Sequence, residues 1–500
     1  MSALYRTETI RTIERRWIDA LGGGVLMDRA ATAVADAAAK IARGLARATP
    51  IVALVGPGNN GGDALLALAK LRDRGFPVSA LALSRQPPTA ADALAVWRQW
   101  HAAGGSVDLL DALPGWIERR PIVLDGLFGI GLGRALSGDA AQAIEQLNAS
   151  PSAATGRVLA VDVPSGIDSD RGTVVGGSVG VAVRATLTVT MIADKPGLHT
   201  GAALDHVGEL LVAGLGLDLG DAPAADGELF GLAQARAMSR PRARDSHKGS
   251  YGSVLVVGGA TGTTGAALMA ARGAQCAGAG KVYIASPDER VFDPAQPQLM
   301  TRAIDASPDG LDAVCIGCGL GRSEAARHAL ERALRWPLPL VIDADGLNLV
   351  SQEPALARRL AARRAPGVLT PHPLEAARLL GCSAGEVQAD RAAAALAIAQ
   401  RYGAVALLKG AGTVVAAPDA RLAIVGSGSP ALATAGTGDV LAGTIAALLA
   451  GGLDAHEAAR LGAWLHGFAG DLWQRRHPSG TGLSAARLPE MLIDALDALQ

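Results

Sequence analysis

Short apolar segments alternate with longer segments of helical periodicity along most of this chain, and this alternation most strongly constrains its fold. In the first half, the predicted strands are residues 51–56, 78–84, 121–127, 157–163 and 185–192. In the second half, they are 253–259, 281–286, 313–317, 338–346 and 367–373, followed by a predicted β-hairpin at 404–417. Such alternation is typical of βαβ units around parallel sheets. The sequence therefore predicts an α/β protein.

The length of the chain and one lapse in its periodicity predict two domains. A chain of 500 residues exceeds what one hydrophobic core usually holds. Residues 218–240 are rich in Asp, Gly, Ala and Pro, a composition that favours a linker. We expect an N-terminal domain at 1–217 and an unlike C-terminal domain at 241–500.

Composition argues against several classes of function. The chain has 46 Lys and Arg against 47 Asp and Glu, and this balance disfavours a nucleic-acid groove or a polybasic membrane surface. The most apolar run, 440–453, is shorter than the ~20 residues that span a bilayer. The first twenty residues lack the apolar segment of a signal peptide. We expect a cytoplasmic protein that acts on small molecules.

The four cysteines indicate neither a disulfide framework nor a zinc site. Cys315 and Cys318 form a single CxxC, without a second pair or a histidine nearby. We interpret Cys315 as a small apolar strand residue and Cys318 as a loop residue.

A glycine loop near the C-terminus, GTGD at 436–439, opens an apolar helix. Its backbone N–H groups and the positive end of the helix dipole would form an anion site. Asp439 would repel a phosphate there unless it takes a proton from the attacking group, which suggests a general base for phosphoryl transfer. Aspartate is also a favoured helix N-cap. This loop alone leaves both interpretations open.

Four other polar or glycine-rich clusters follow predicted strands of the second half. They are GCGLG (317–321), DADGLN (343–348), TPHPLE (370–375, with His372 and Glu375) and KGAGT (409–413, with Lys409). Because the ligand crevice of an open α/β sheet lies at the carboxyl ends of its strands, we expect these clusters to form one site with Asp439.

Three loops of the first half carry a second set of polar groups. VGPGNNGGDALLAL (55–68) is neither GxGxxG nor a P-loop, since it has no Walker lysine. The polar side chains of the three loops are Asn59, Asn60, Asp63, Asp125, Arg134, Asp162, Ser165 and Asp168. Oxygen ligands from three strand ends fit a hard cation, and Arg134 suits a phosphate. We therefore predict a second site here.

The motifs of the second half resemble those of a known family. GTGD, KGxxT, DAD after a strand and HPxE together resemble the ribokinase-like superfamily, and within it the NAD(P)H-hydrate dehydratases. HKGSYGSVLVVGG (247–259) and the following helical segment (262–280) match that family too. The resemblance covers 241–500 and implies a ribokinase-like α/β domain.

The motifs of the first half resemble the YjeF N-terminal domain of the NAD(P)H-hydrate epimerases. They are NNGGD, DGLFGIGL (125–132) and DVPSG (162–166), within about residues 10–215. This resemblance implies a Rossmann-like α/β/α sandwich. Joined in this order, the halves are similar to the bifunctional NAD(P)H-hydrate repair enzymes. That family implies epimerisation of R- and S-NAD(P)HX (an isomerase), then dehydration of the S form with ADP, giving AMP and phosphate (a lyase).

The resemblance also implies the residues of both sites. For the epimerase, it implies substrate contacts from Asn59, Asn60, Gly61, Gly62, Asp63, Gly129, Ile130, Gly131, Leu132, Gly133, Arg134 and Ala135, catalysis by Asp162, and K⁺ bound by Asn60, Asp125 and Ser165. For the dehydratase, it implies substrate contacts from Ala266, Gly319, Gly321, His372 and Asp439, nucleotide contacts from Lys409, Gly410, Ala411, Gly412, Thr413 and Gly438, Mg²⁺, and Asp439 as the base. We expect a homo-oligomer whose partners are NADHX or NADPHX and ADP.

The chain departs from the family's usual motifs at four positions. Ala64 follows NNGGD where glycine is usual, Cys318 replaces proline, Gly346 replaces alanine and Arg171 replaces threonine. None of these changes removes a polar group with a predicted catalytic role, although Ala64 is expected to narrow the space beside the first loop.

A kinase with an appended domain and a nucleotide-sensing scaffold are the alternative functions. The first predicts a stable phosphorylated product, and the second predicts that both catalytic aspartates are dispensable.

Overall fold

The computed structural model describes residues 2–46, 48–288 and 290–500, which divide into two compact units, Ser2–Gly227 and Glu228–Gln500. The N-terminal strands are β1 (Ser2–Leu4), β2 (Ile51–Val55), β3 (Val78–Ala82), β4 (Val107–Leu109), β5 (Ile122–Gly126), β6 (Val158–Val161), β7 (Leu187–Met191) and β8 (Glu209–Ala213). The helices are α1 (Thr7–Leu21), α2 (Val25–Arg43), α3 (Asn59–Asp73), α4 (Ala91–Ala102), α5 (Leu113–Ile117), α6 (Gly138–Asn148) and α7 (Pro151–Ala154).

The N-terminal unit is an α/β/α sandwich around a parallel sheet of order β4-β3-β2-β5-β6-β7-β8. Successive residues of β2 enter two separate cores, because side chains alternate across a sheet. Ile51, Ala53 and Val55 pack with helices α1 to α4, whereas Val52 and Leu54 pack with α5 and α6. The order of strands reverses between β2 and β5, which is where an open α/β sheet forms its ligand crevice.

The C-terminal unit is a larger α/β layer structure. Its strands are β9 (Gly227–Phe230), β10 (Ser253–Val257), β11 (Lys281–Ala285), β12 (Met300–Thr301), β13 (Ala313–Ile316), β14 (Leu340–Ile342), β15 (Gly367–Leu369), β16 (Val405–Leu408), β17 (Val414–Ala416) and β18 (Leu422–Val425). Its helices are α8 (Leu232–Met238), α9 (Thr264–Cys276), α10 (Glu324–Arg335), α11 (Ala344–Gln352), α12 (Pro354–Ala361), α13 (Pro373–Leu380), α14 (Ala384–Ala389), α15 (Arg391–Tyr402), α16 (Thr437–Ala450), α17 (Ala455–Arg476) and α18 (Leu488–Asp497).

These strands lie in the order β9-β18-β17-β16-β15-β14-β13-β10-β11-β12, and their direction reverses only at β17. Helix α16 is apolar on nearly all sides and packs closely on α9. A Cβ atom at Gly443 of α16 would lie 1.8 Å from the Ala270 carbonyl oxygen of α9. This close contact fixes the start of α16, and hence the GTGD loop, next to the sheet. No helix in the described ranges is long and apolar enough to span a bilayer.

The predicted strands and the hairpin are all present, but the sequence missed six strands and misjudged the linker. The strands it missed are β1, β4, β8, β9, β12 and β18, which have two to five residues each. The second half of the predicted linker at 218–240 forms β9 and α8 instead. Strand β9 pairs with β18 and buries Phe230 completely, so tertiary pairing outweighs the weak local pattern.

Candidate active sites

A cavity of about 350 Å³ lies at the carboxyl ends of β2 and β5. It is lined by Ile10, Arg11, Glu14, Pro57, Gly58, Asn59, Asn60, Asp63, Leu127, Phe128, Gly129, Ile130, Gly131, Leu132, Asp162, Met191 and Ile192. Eight of the residues predicted for the epimerase site are therefore brought together: Asn59, Asn60, Asp63, Gly129, Ile130, Gly131, Leu132 and Asp162. The cavity occupies the crevice that the strand order predicts.

The glycines of NNGGD lie beneath this cavity, although the sequence predicted them as substrate contacts. A Cβ atom at Gly61 would lie 2.1 Å from the Gly56 carbonyl oxygen, and one at Gly62 would lie 2.9 Å from the Met27 Cε atom. Both glycines are buried in the first turn of α3. Their lack of a side chain therefore lets α3 pack closely on the β2 loop and on α2.

Three further predicted contacts, Gly133, Arg134 and Ala135, lie outside the cavity walls. Arg134 is exposed, and Ala135 packs against Gly176. Ala64 is also away from the cavity, contrary to the expectation that it narrows the space there. It is fully buried, and a Cβ atom at Gly126 would lie 2.3 Å from its methyl carbon.

Asp162 follows β6 and has a left-handed backbone conformation, with φ of 66°. Its Oδ1 atom accepts hydrogen bonds from Lys195 Nζ at 2.9 Å, the Met191 amide at 3.1 Å and Thr190 Oγ1 at 3.3 Å. The Lys195 side chain is completely buried. The sequence predicted Asp162 but not this lysine.

The predicted potassium ligands surround the segment after β5. Asp125 is fully buried and accepts hydrogen bonds from Ser165 Oγ at 2.6 Å and the Ser165 amide at 2.8 Å. Ser165 Oγ also lies 3.1 Å from the Phe128 carbonyl oxygen. The Asn60 carboxamide lies against Gly129, and its Nδ2 atom is buried without a hydrogen-bond partner in the described part of the chain. Because the two ends of an amide exchange by rotation, these residues fit a hard cation bound through oxygen.

Burial perturbs the acids around this cavity. Burial raises the pKa of Asp125 to about 6, although hydrogen bonds from Ser165 oppose the change. Burial, and next the carboxylate of Asp162, raises the pKa of Asp63 well above its usual value. The same two causes raise the pKa of Glu14, which reaches the cavity from α1. Perturbed acids in a cleft are typical of catalytic sites. Asp168, in contrast, closes a turn: its carboxylate accepts the amides of Asp170 and Arg171 and pairs with the Arg171 guanidinium group at 3.8 Å.

The second site lies at the carboxyl ends of four adjacent parallel strands, β13 to β16, as the sequence predicted. Asp343 follows β14 and is buried, and its Oδ1 atom accepts a hydrogen bond from Lys409 Nζ at 2.7 Å. Lys409 Nζ would lie 3.3 Å from a Cβ atom at Gly438. The lysine therefore reaches beneath the GTGD loop.

Asp439 stands in the first turn of α16, where the sequence placed it. Its carboxylate oxygen, an Asp343 oxygen and the Cys318 sulfur all lie within 4.8 Å of one another. Burial, and next the charge of Asp343, raises the pKa of Asp439 to about 7, although Cys318 and Lys409 oppose the change. An acid with a pKa near neutrality is suited to general-base catalysis at physiological pH.

Cys318 belongs to this cluster, whereas the sequence indicated only a loop residue. It is fully buried beside Asp439. Contact with Cys315, and next burial, raises the pKa of Cys318 well above its usual value, so the thiol keeps its proton. Cys315 lies in β13, as predicted. The oxygens of Asp343 suit a hard ion such as Mg²⁺, but the protonated thiol does not.

His372 and Glu375 form a capping box at the start of α13. His372 Nδ1 accepts the Leu374 amide at 3.1 Å, and Glu375 accepts the His372 amide at 2.9 Å. Burial lowers the pKa of His372, and Lys409 lowers it further. His372 is therefore a neutral helix cap that borders the cluster.

The other predicted dehydratase contacts lie near the reversal of strand order between β10 and β13. Gly319 accepts hydrogen bonds from the Ala260 amide at 2.7 Å and from Thr263 Oγ1 at 3.0 Å. The Gly321 amide donates to Asp345 Oδ2 at 2.9 Å. Ala266 is in the first turn of α9, directly after these loop residues.

The predicted nucleotide loop, KGAGT, is the turn of the β16–β17 hairpin. Thr413 Oγ1 donates to the Gly410 carbonyl at 3.2 Å and closes the turn. Arg391, which is buried, donates from Nη2 to the carbonyls of Leu408 at 3.2 Å and Lys409 at 3.3 Å. Burial lowers the pKa of Arg391 to about 10. The Arg391 guanidinium group thus holds the start of the hairpin turn through these two hydrogen bonds.

The GTGD loop has its own support from α17. His466 Nε2 lies 2.9 Å from the Thr437 carbonyl oxygen, so this ring nitrogen donates. Burial lowers the pKa of His466 to about 4, which keeps the ring neutral beside an anion loop.

Sequence reasoning missed five residues that shape these sites: Lys195, Glu14, Arg391, His466 and Cys318. Only Lys195 left a usable signal, because the chain has six lysines and two of them, Lys195 and Lys409, follow a strand and precede a glycine turn. Glu14, Arg391 and His466 reach the sites from helices α1, α15 and α17, whereas Cys318 lies within the predicted GCGLG loop.

Comparison with known proteins gives a family match in each unit. The family model for the YjeF-related protein N-terminus matches residues 23–197, and the model for NAD(P)H-hydrate dehydratase matches residues 254–493. The bifunctional NAD(P)H-hydrate repair enzyme Nnr of Escherichia coli is 38% identical over 85% of this chain and 80% of its own length. The Nnr of Coxiella burnetii is 36% identical over 94% of this chain and 95% of its own.

A solved structure resembles the second unit. The ADP/ATP-dependent NAD(P)H-hydrate dehydratase of Bacillus subtilis, co-crystallised with ATP and Mg²⁺, is 32% identical with a TM-score of 0.50, over 55% of this chain and 99% of its own. The chain therefore belongs to the family of bifunctional NAD(P)H-hydrate repair enzymes.

Proposed function

We propose that this chain epimerises R- and S-NAD(P)HX in its N-terminal unit and dehydrates S-NAD(P)HX with ADP in its C-terminal unit. The observation that carries the proposal is the contact of Asp439, on an anion-binding helix start, with the Lys409–Asp343 pair. Its relatives are named bifunctional NAD(P)H-hydrate repair enzymes, and the related Bacillus subtilis dehydratase was co-crystallised with ATP and Mg²⁺.

In the dehydratase, Asp439 takes the proton of the C6 hydroxyl group of the hydrate. The hydroxyl oxygen then bonds to the terminal phosphorus of ADP, and the bond from that phosphorus to the AMP oxygen breaks. The ring nitrogen's electron pair next expels the phosphate, a much better leaving group than hydroxide, and leaves an iminium ion. Loss of one C5 proton then forms the C5–C6 double bond and restores NAD(P)H. The pKa of about 7 lets Asp439 be largely unprotonated at slightly alkaline pH and still accept a proton.

The remaining dehydratase residues bind and orient the reactants. The amides of 436–439 and the Lys409 ammonium stabilise the charge that develops on the transferred phosphoryl group. Lys409, Gly410, Ala411, Gly412, Thr413 and Gly438 hold the nucleotide, and Ala266, Gly319, Gly321 and His372 hold the hydrate. Mg²⁺, with Asp343 as a protein ligand, would supply charge neutralisation of the phosphates.

In the epimerase, Asp162 acts at the hydrated ring while the ring opens and recloses at C6. The cavity residues Asn59, Asn60, Asp63 and Gly129–Leu132 hold the nucleotide portion. K⁺, bound by Asn60, Asp125 and Ser165, would supply a fixed positive charge beside it. We also retain as predictions a cytoplasmic location and a homo-oligomeric state.

The test supplies the full-length chain with purified S-NADHX and ADP or ATP, and then with purified R-NADHX. The absorbance of regenerated NADH should rise with a nucleotide present, and R-NADHX should be consumed as well. A stable phosphorylated product would favour a kinase instead. Absence of NADH with both nucleotides would refute the dehydratase proposal.

A further inference from the structure

Lys195 is a fully buried lysine at the epimerase cavity, and the reaction outlined above does not use it. Its Nζ atom lies 2.9 Å from Asp162 Oδ1 and 2.7 Å from Thr190 Oγ1. The same atom lies 3.1 Å from the Met191 carbonyl oxygen and 3.3 Å from the Ala193 carbonyl oxygen. The side chain has no exposed surface, whereas 12% of the Asp162 side chain remains exposed, toward the cavity that it lines.

The backbone around Lys195 is also held in place. The Lys195 amide donates to Asp194 Oδ1 at 2.8 Å, and His199 Nε2 lies 2.8 Å from the same oxygen. The turn that carries the lysine is therefore tied on both sides, and the ammonium has one defined position. Burial of a lysine in such a position is costly unless the charge is both paired and hydrogen-bonded.

The hydrogen bonds to Asp162 distinguish its two carboxylate oxygens. Oδ1 accepts three hydrogen bonds, and Oδ2 accepts none from the residues that the structure describes. Asp162 also has a left-handed backbone, a strained conformation for a residue with a side chain. An apolar pair of equal volume would stabilise this core at least as well as the ion pair. The intact pair therefore adds little net stability compared with apolar residues, and its specific contribution is to orient Asp162.

Resting on the proposed epimerase function, we propose that Lys195 is a positioning residue that holds Asp162 through Oδ1 and leaves Oδ2 available to the hydrated nicotinamide ring. Thr190 completes the arrangement, because its hydroxyl group contacts both Lys195 and Asp162. Loss of the ammonium should therefore reduce turnover much more than substrate binding.

The experiment follows conversion of purified R-NADHX to the S form by chromatography, with nucleotide omitted so that the S form accumulates. It compares the full-length chain with Lys195→Ala, Lys195→Gln and the control Lys70→Ala, which removes a lysine paired with Asp28 on α2 at the surface. We expect kcat to fall about 100-fold or more in both Lys195 variants. KM should change less than about threefold, as expected when an interaction acts mainly in the transition state. The control should match the unaltered chain.

Chemical rescue of Lys195→Ala distinguishes loss of the ammonium charge from loss of packing. Propylammonium should restore the Lys195→Ala rate at least about tenfold, whereas propanol, which has similar volume and no charge, should not. Lys195→Gln keeps length and a donor, so it provides the test if the alanine variant does not fold.

Turnover near that of the unaltered chain in a folded Lys195→Gln variant, or equal rescue by propanol, would overturn this inference alone. Absence of epimerisation by the unaltered chain would overturn the proposed epimerase function as well.

Discussion

In both units a lysine lies next to an aspartate of the predicted site, but the two lysines contact different members of their sites. Lys195 is fully buried, whereas 20% of the Lys409 side chain is exposed. In the N-terminal unit, Lys195 bonds directly to Asp162 at 2.9 Å. In the C-terminal unit, Lys409 bonds to Asp343 at 2.7 Å, and Asp439 stands beside this pair. Burial lowers the pKa of Lys409, but the charges of Asp343 and Glu375 more than compensate, so its pKa is raised overall.

This difference shows that a lysine–aspartate pair can serve two purposes: it can orient a carboxylate, or it can help to set the pKa of a neighbouring one. Asp162 Oδ1 accepts three hydrogen bonds, and we propose that Oδ2 faces the substrate. Asp439 has no such lysine bond, and burial with the charge of Asp343 raises its pKa to about 7. The first arrangement fixes an orientation, whereas the second creates a base that takes up a proton near neutral pH.

The largest expected effect comes from removing each aspartate separately. Asp439→Asn should lower the rate of S-NADHX dehydration by about 10³-fold or more and leave epimerisation unchanged, because it removes only the proposed general base. Asp162→Asn should have the reverse effect. Both rates are measured on the same full-length protein with purified epimers. Loss of both activities in either variant would contradict the assignment of one reaction to each unit.

The same two substitutions should have opposite effects on stability. The raised folded-state pKa of Asp439 contributes stability at low pH that is lost as pH rises from about 4 through about 7. At pH 8, Asp439→Asn should therefore raise the melting temperature of the C-terminal transition. Asp162→Asn leaves the buried Lys195 ammonium without its partner and should cost about 3–5 kcal/mol. Calorimetry at pH 5 and pH 8 provides the check, and a gain for Asp439→Asn that is larger at pH 5 would contradict the sign.

Removing the lysine of the second site should shift a pH profile. Lys409 lowers the pKa of Asp439, so Lys409→Met should move the rise of the dehydration rate, expected near pH 7, to higher pH. Loss of the charge near the phosphoryl group should also lower kcat about 10-fold to 100-fold. The measurement is kcat/KM between pH 5.5 and 9, with Lys281→Met, on β11, as the control. An unchanged pH profile in Lys409→Met would show that Lys409 does not lower the pKa of the catalytic group.

The smallest expected effect concerns Cys318. Its contact lowers the pKa of Asp439, so Cys318→Ala should move the same pH profile upward by less than about one unit. Cys318→Ser keeps a hydrogen-bond donor and should leave the profile close to its original position. The two variants are compared under the conditions used for Lys409→Met. A larger shift in Cys318→Ser than in Cys318→Ala would contradict the prediction that a hydrogen bond from residue 318 lowers the pKa of Asp439.

Much of the fold followed from local patterns, and the failures have identifiable causes. Runs such as IVALV and SVLVV are buried on both faces, so their apolar character alone predicts central strands. Strand β8 (ELLVA), in contrast, lies at the sheet edge with Leu211 and Val212 exposed, so its pairing with β7 and not a buried face makes it a strand. The resemblance implied ligand contacts from the glycines of NNGGD, and the structure adds a packing reason for them, because Cβ atoms there would meet Gly56 and Met27.

The sequence by itself determined the two α/β units, the loops at their strand ends, and the place of Asp439 at the start of an apolar helix. Local propensity, side-chain periodicity and glycine loops carry that information within short windows. Only the tertiary structure decided which lysine meets which aspartate. Lys195 bonds to a residue 33 positions away and Lys409 to one 66 positions away, and both contacts depend on the order of strands in a sheet. Burial then raises the pKa of Asp439, because this side chain loses contact with solvent only when the chain folds.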